Sequence, residues 1–333
     1  MGGGACAQAV STRVLFRVDA YPAIGNGHLM RCLALAHALR AGGAQGGFVA
    51  RLEPAHLRQK VLDAGFTVRD VAGDLGMALR EADWVVLDGY KFGLDEQRGI
   101  KALGAQLMVI DDMALQAEYC ADLVLNQNAD AGSVRYPGAA QVLLGPEYAL
   151  LRPEFLTAPR GVGHAGGQHR ILMTLGGGTA PAVTEVLFAA LRDLPYPLHV
   201  RALGVGPRQA PARPGLTIEC LAHVDDMPAQ MAWADLALCA GGSTCWELAC
   251  MGVPALITVL SEDQKMVAAQ MQSAGCGTIL GWHGDIEQGM VMSALDKLLS
   301  APALLLAMRE QGPRLVDARG GERVAAALLE IAG

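Results

Sequence analysis

Residues 236–247 read LALCAGGSTCWE, and the fold follows from how that stretch is built. Leu236–Ala240 is a short run without a charged or amide side chain, the composition of a strand buried on both faces. Gly241 and Gly242 break the run, and Ser243, Thr244, Cys245, Trp246 and Glu247 open a helical pattern. A buried strand that passes through glycines into a helix is half of a βαβ unit, whose next strand lies parallel to the first. Backbone N–H groups at such a helix start, with the hydroxyls of Ser243 and Thr244 beside them, suit a diphosphate. Glu247, one turn in, either accepts hydrogen bonds from a ribose diol or closes a capping box with Thr244. No lysine follows the glycines, so this is not a Walker A loop.

The same arrangement stands near the N-terminus. Arg13–Val18 reads as a strand, Gly25-Asn26-Gly27-His28-Leu29-Met30-Arg31 as the junction, and Leu29–Leu39 as a helix. Gly25 and Gly27 let the chain turn and a ligand come close. Met30 stands where the third glycine of a dinucleotide fingerprint would fall, so that motif is incomplete. His28 lies at the helix start, whose positive end favours the neutral imidazole that a general base requires. The alternative is a histidine that only caps the helix. A third glycine turn, Gly176-Gly177-Gly178-Thr179, follows the strand Arg170–Leu175 and either lines a site or simply turns. Asp88-Gly89-Tyr90 and Asp111-Asp112 also end strands, where acids point into sites or start loops.

Working outward, short apolar runs alternate with helical patterns along the whole chain. Strands are expected at Phe48–Ala50, Phe66–Asp70, Trp84–Leu87, Leu107–Ile110, Leu123–Leu125, Leu198–Leu203, Leu216–Cys220 and Ala255–Val259. Helices fit Pro54–Ala64, Leu94–Leu103, Pro181–Leu191, Asp226–Ala234, Thr244–Met251, Glu262–Ala274 and most of the last 40 or so residues. The segment 156–168, rich in Gly and Pro, has a linker composition. The reading is α/β with two Rossmann-like domains, 1–155 and 169–333, and ligands expected beyond the carboxyl ends of the strands in a cleft between them.

Composition narrows the function. The 333 residues are 52% hydrophobic, 18% charged and carry a net charge of −7. With a pI near 5.6 and no basic stripe, a duplex nucleic acid or an anionic membrane is not the expected partner. The mean hydropathy of +0.29 raises the question of membrane insertion. The most apolar stretch, Leu236–Leu260, is interrupted by Gly241, Gly242, Glu247, Gly252 and Pro254, so no spanning helix is expected. The eight cysteines form no Cys-x-x-Cys pair and are read as reduced core residues, with no metal and no cofactor. Met1–Thr12 lacks the pattern of a signal peptide, and a cytoplasmic protein is expected. The oligomeric state is not fixed by the sequence.

Several segments resemble a known family. Arg17-Val18-Asp19 through Gly25-Asn26-Gly27-His28 to Arg31-Cys32-Leu33-Ala34-Leu35-Ala36 is similar to the N-terminal signature of the UDP-2,4-diacetamido-2,4,6-trideoxy-β-L-altropyranose hydrolases of pseudaminic acid biosynthesis. Leu87-Asp88-Gly89-Tyr90, Ile110-Asp111-Asp112, Asn126-Gln127-Asn128 and the run from Leu144 to Phe155 match as well. The Gly241–Glu247 segment is shared with wider GT-B relatives such as the lipid II N-acetylglucosaminyltransferase. The resemblance implies a GT-B fold with a UDP-sugar as substrate, UDP held mainly by the C-terminal domain, and inverting, metal-free hydrolysis. It makes His28 the catalytic base and puts Tyr90 near the sugar. It leaves Asp19, Gly25, Gly27, Arg31, Gly177, Gly241, Gly242, Ser243, Thr244, Glu247 and Gln264 to bind substrate. Asp263 stands where the family has Asn, a negative charge placed near a diphosphate unless a cation such as Lys265 offsets it. It is grouped with the catalytic residues. The alternatives are a GT-B glycosyltransferase that passes the sugar to an acceptor and a binding module without turnover.

Overall fold

The computed structural model describes residues 11–332, apart from 23, 72–74, 115, 129, 131, 133, 162, 164, 165, 177–179 and 207–212. Gly177 therefore lies outside the described residues. The chain divides into two compact units.

The first unit comprises residues up to Asn126, Val134–Leu143 and the segment from Gly321 on. Its elements are β1 (Arg13–Val18), α1 (Gly27–Ala41), β2 (Gln45–Val49), α2 (Ala55–Asp63), β3 (Thr67–Arg69), α3 (Leu75–Arg80), β4 (Trp84–Asp88), α4 (Leu94–Ala102), β5 (Gln106–Ile110), β6 (Leu123–Asn126) and β7 (Gln141–Leu144). The sheet order is β3-β2-β1-β4-β5-β6-β7, with every described pairing from β3 to β6 parallel. All five residues of β4 are buried, which explains its unbroken apolar reading. The strand order reverses between β1 and β4. Their carboxyl ends form the crevice where open α/β sheets take ligands.

The second unit comprises Gln127–Ser133 and Leu144–Gly320. After α5 (Glu154–Thr157) come β8 (His169–Thr174), α6 (Pro181–Asp193), β9 (Leu198–Leu203), β10 (Leu216–Leu221), α7 (Met227–Trp233), β11 (Leu236–Ala240), α8 (Thr244–Cys250), β12 (Ala255–Val259), α9 (Gln264–Ser273), β13 (Gly277–Trp282), α10 (Gln288–Leu299) and α11 (Pro302–Leu315). The order β10-β9-β8-β11-β12-β13 is parallel throughout and reverses between β8 and β11. Successive strand residues feed two separate cores. Ala237, Cys239, Ala255 and Ile257 pack with Trp246 and Met271 on one face, and Leu236, Leu238, Leu256 and Val200 pack with Leu187 and Leu295 on the other. That is where much of the apolar excess of the composition goes.

The division departs from the expected boundaries at three places, the first being Gln127–Ser133, which belongs to the second unit. The segment Leu144–Phe155 belongs to the second unit rather than the first. The last helix, α12 (Gly320–Ala332), returns to the first unit, where Val324, Ala325 and Leu328 are buried. It packs on α1: a Cβ at Gly42 would stand 2.8 Å from Leu329, and one at Gly321 would stand 3.4 Å from Ala38. A helix long in sequence from its partner carries no local sign of which core will cover it. The elements α3, β7 and β13 are short and were not expected from the alternation. Among the described residues, no single helix is long and apolar enough to cross a membrane. The described cysteines are free thiols, and Cys32, Cys239, Cys245, Cys250 and Cys276 are buried.

Candidate active site

In the first unit the site grows from α1. This helix is apolar almost all round, burying Leu29, Cys32, Leu33, Leu35 and Leu39 together with His28 and Arg31. A buried guanidinium needs acceptors, and the ends of β4 and β5 supply them. Arg31 Nε and Nη2 donate to Asp88 Oδ2 and Oδ1 at 2.7 and 2.6 Å, and Nη1 donates to both oxygens of Asp112 at 2.7 and 2.8 Å. Arg31, expected to bind substrate, is thus committed to two carboxylates and 6% exposed. Burial alone would lower its basicity, but Asp112 and Asp88 hold it well above the ordinary value, so it stays charged.

His28 Nδ1 lies 2.7 Å from Asp88 Oδ1. An ionised Asp88 only accepts, so an imidazole bonded to it puts a proton on Nδ1; in the neutral form Nε2 is then the lone-pair acceptor. Burial pushes Asp88 up, yet Arg31 and His28 together hold it well below the usual carboxylate range. The pair has the hydrogen-bond geometry by which a carboxylate orients a histidine in catalytic triads. The Tyr90 ring stands edge-on to His28, with centroids 4.9 Å apart, and its hydroxyl donates to Asp112 Oδ2 at 3.1 Å. Tyr90 is 57% exposed while His28 is 8% exposed, so the tyrosine is the solvent-facing member of the pair. Cys32 donates its thiol to Asp88 Oδ2, and burial pushes that thiol far above its ordinary value, so it remains protonated. Gly25 has φ +73° and Gly27 begins α1; a Cβ at either would meet nothing within 4 Å, leaving the backbone open to a ligand.

Asp19, also expected to bind substrate, is occupied at the end of β1. Arg17 donates to its two oxygens at 2.6 and 3.1 Å, the Arg51 N–H donates at 2.7 Å, and Lys91 pairs with it as well. Burial raises its pKa, and these partners outweigh that to set it at about 2. The folded value lies below the free-chain value of 3.8, so the stabilisation is complete above about pH 4 and is lost as the pH falls towards 2. We expect Asp19→Asn to cost about 2 kcal/mol at neutral pH and about a third of that at about pH 2.5. Urea unfolding at both pH values checks this, and an equal cost at the two would contradict it.

In the second unit the glycine junction follows β11 at the switch point. Gly241 must be glycine for a packing reason: a Cβ would stand 2.9 Å from the Gln264 carbonyl oxygen. Its N–H is already used, reaching Thr258 O at 3.2 Å and the Gln264 side-chain oxygen at 3.1 Å. The same Gln264 oxygen accepts the Leu260 N–H at 3.0 Å. Gln264 and Gly241, both expected to contact substrate, therefore latch the ends of β11 and β12 to α9. The amides of Cys245 and Trp246 are taken by the carbonyls of Gly242 and Ser243. That leaves the amides of Gly242, Ser243 and Thr244 ahead of the helix ladder, where an anion fits. A Cβ at Gly242 would meet nothing within 4 Å. We expect Gly241→Ala to push α9 away, costing about 1–3 kcal/mol of stability. Thermal melts measure this, and an unchanged melt would contradict the latch.

Glu247 does not close a capping box with Thr244; Ser243 is the cap residue and makes no side-chain cap bond. Instead Glu247 Oε1 pairs with Arg152 Nη2 at 3.3 Å, and Arg152 also reaches Glu154 at 3.0 Å. Burial pushes the Glu247 carboxyl above its ordinary value, against the pull of Arg152. Asp263 is the cap residue of α9, and the adjacent Lys265 pairs with Glu262 at 2.7 Å. Asp88 and Asp112, weighed only as strand-end acids, and Arg152, 95 residues from its partner, are the members the sequence left out.

The relatives fit this architecture. Residues 207–318 match the glycosyltransferase family 28 C-terminal domain. The spore coat polysaccharide biosynthesis protein SpsG of Bacillus subtilis is 24% identical over 83% of this chain and 91% of its own length. The UDP-N-acetylglucosamine--N-acetylmuramyl-(pentapeptide) pyrophosphoryl-undecaprenol N-acetylglucosamine transferase of Acidithiobacillus ferrooxidans is 30% identical over 92% of this chain and 95% of its own. The chain belongs to this family of glycosyltransferases. The crystal structure of Acinetobacter baumannii MurG superposes with a TM-score of 0.72 at 19% identity, covering 96% of this chain and 99% of that one. That likeness makes the fold GT-B, as the sequence resemblance implied. The family favours glycosyl transfer, the alternative drawn from the sequence, over the hydrolysis drawn from it first.

Proposed function

We propose that the chain transfers a glycosyl group from a UDP-sugar to a hydroxyl acceptor, with His28 as the general base. The observation that carries this is the 2.7 Å bond from His28 Nδ1 to Asp88, which fixes the tautomer and orients Nε2 as the proton acceptor. As the acceptor O–H gives its proton to Nε2, its oxygen bonds to the anomeric carbon and the bond to the diphosphate breaks. UDP departs with the electron pair. The amides of Gly242, Ser243 and Thr244, with the hydroxyls of Ser243 and Thr244, meet the charge that develops on the diphosphate. A diphosphate leaves readily, so the paired carboxylates that glycosidases use for poor leaving groups are not called for. Arg31 acts by holding Asp88 and so His28 in place.

A second reading keeps the same base and donor and makes water the acceptor, releasing the free sugar and UDP. It is favoured by the resemblance of the His28 segment to a family that hydrolyses its UDP-sugar. The sugar implied by the sequence resemblance, a UDP-linked 2,4-diacetamido-2,4,6-trideoxy-β-L-altropyranose, belongs to this reading. Incubation with UDP-sugars, alone and with glycan or lipid-linked acceptors, separates the two. UDP release that depends on an acceptor supports transfer, and equal release in its absence supports hydrolysis. Binding of UDP-sugars without UDP release under either condition would overturn both.

A further inference from the structure

The buried group around His28 has a charge count that the base needs. The group comes from three elements: the imidazole meets Asp88 and Tyr90 at the end of β4 and, at 3.1 Å, Arg31 Nη2 on α1, while Cys32 on α1 and Asp112 after β5 reach it through Asp88, Arg31 and Tyr90. Asp19 at the end of β1 pairs with two cations, the buried Arg17 and the half-exposed Lys91, so the negative charge of the His28 group does not come from it. Asp88, Asp112 and Arg31 sum to one negative charge with a neutral imidazole and to zero with an imidazolium. Asp88 and Arg31 alone would sum to zero before proton transfer and to a buried positive charge after it.

We infer that Asp112 is a positioning residue for the proton transfer: it holds Arg31 on Asp88 and supplies the negative charge that the imidazolium of His28 neutralises. The two carboxylates at the strand ends have different employments. Asp111 accepts the Met113 and Ala114 N–H groups at 2.8 and 3.0 Å and so shapes its own loop. Asp112 turns to Arg31 and the Tyr90 hydroxyl, and is 4% exposed. In a site this dry, the charge balance of the two protonation states counts for more than it would in water. The proton path is unchanged: acceptor oxygen to Nε2 of His28, then to solvent after UDP leaves.

This inference rests on the reading of His28 as base, and the experiment keeps the two apart. The pH profiles of kcat and kcat/KM are measured for Asp112→Asn, Asp112→Glu and Tyr90→Phe, beside His28→Gln. Asp112→Asn is expected to move the acid limb of kcat/KM down by about one pH unit and to lower kcat about tenfold, with KM within about twofold. Asp112→Glu keeps the charge and is expected to return the limb to its original place. If Asp112→Asn fails to fold, Tyr90→Phe carries the test: loss of the hydroxyl donor concentrates charge on Asp112, and the limb is expected to rise. An acid limb unmoved by Asp112→Asn, or unmoved by Tyr90→Phe where that variant stands in, while His28→Gln is inactive, overturns the role of Asp112 alone. Retained turnover in His28→Gln overturns the base, and the role of Asp112 with it.

Discussion

His28→Gln is expected to lower turnover of the UDP-sugar by about 10²–10⁴-fold, the range of a positioned general base, with UDP affinity within about twofold of the parent. Glutamine retains a polar side chain at the start of α1 but offers no basic nitrogen. The separation of the two effects matters more than the size of the loss. His28 touches Asp88 and Tyr90 in the first unit, whereas the amides proposed for the diphosphate belong to the second. Steady-state kinetics with calorimetric titration of UDP measures both quantities. A variant that loses UDP affinity and turnover together would show His28 to be a structural residue, and one that keeps turnover would remove it from the mechanism.

Arg31→Met is expected to cost about 3–5 kcal/mol of stability. Methionine fills much of the same volume on α1, so the loss comes from charge rather than from a cavity. Without the guanidinium, Asp88 and Asp112 are left as two buried carboxylates, 0% and 4% exposed, whose strongest partner is gone. Such carboxylates take up protons on burial, so the variant is also expected to gain stability relative to the parent as the pH is lowered. Adding Asp88→Asn and Asp112→Asn to Arg31→Met is expected to recover part of the loss, because the uncompensated charges go with the guanidinium. Urea unfolding of the parent, single and triple variants measures this. A loss below about 1 kcal/mol would mean that the cluster is solvated and that its charges are not coupled as the hydrogen bonds indicate.

How much of this was legible in the sequence depends on how local the signal was. The strands Arg13–Val18, Leu198–Leu203, Leu236–Ala240 and Ala255–Val259 stand where the apolar runs put them, because strands buried on both faces need no partner to be recognised. The two junctions were legible for the same reason: glycines between a strand and a helix are a local event. What those junctions do with their hydrogen bonds was not. Gly241 and Gln264 are 23 residues apart, and only the folded chain shows that they bind each other. Arg31 and Asp112 are 81 residues apart, and nothing in the run Met30-Arg31-Cys32 says that the arginine turns inward. The position of Asp88 and Asp112 at the carboxyl ends of parallel strands was a usable sign, since the crevice of an open sheet lies there. The return of α12 to the first unit had no local sign, because its apolar face fits any complementary core.

In the proposed mechanism His28 takes the proton of the acceptor as that acceptor displaces UDP in one step. Its most direct test is a time-resolved proton NMR course on a panel of UDP-sugars, with and without acceptors, read at the anomeric signal of the first product before it mutarotates or reacts further. A single displacement places the acceptor on the face opposite the departing UDP, so the expected product is inverted at the anomeric carbon, and its appearance is lost with His28→Gln. A first product that retains the anomeric configuration would contradict the account, since it would require two displacements and a covalent partner that His28 does not supply.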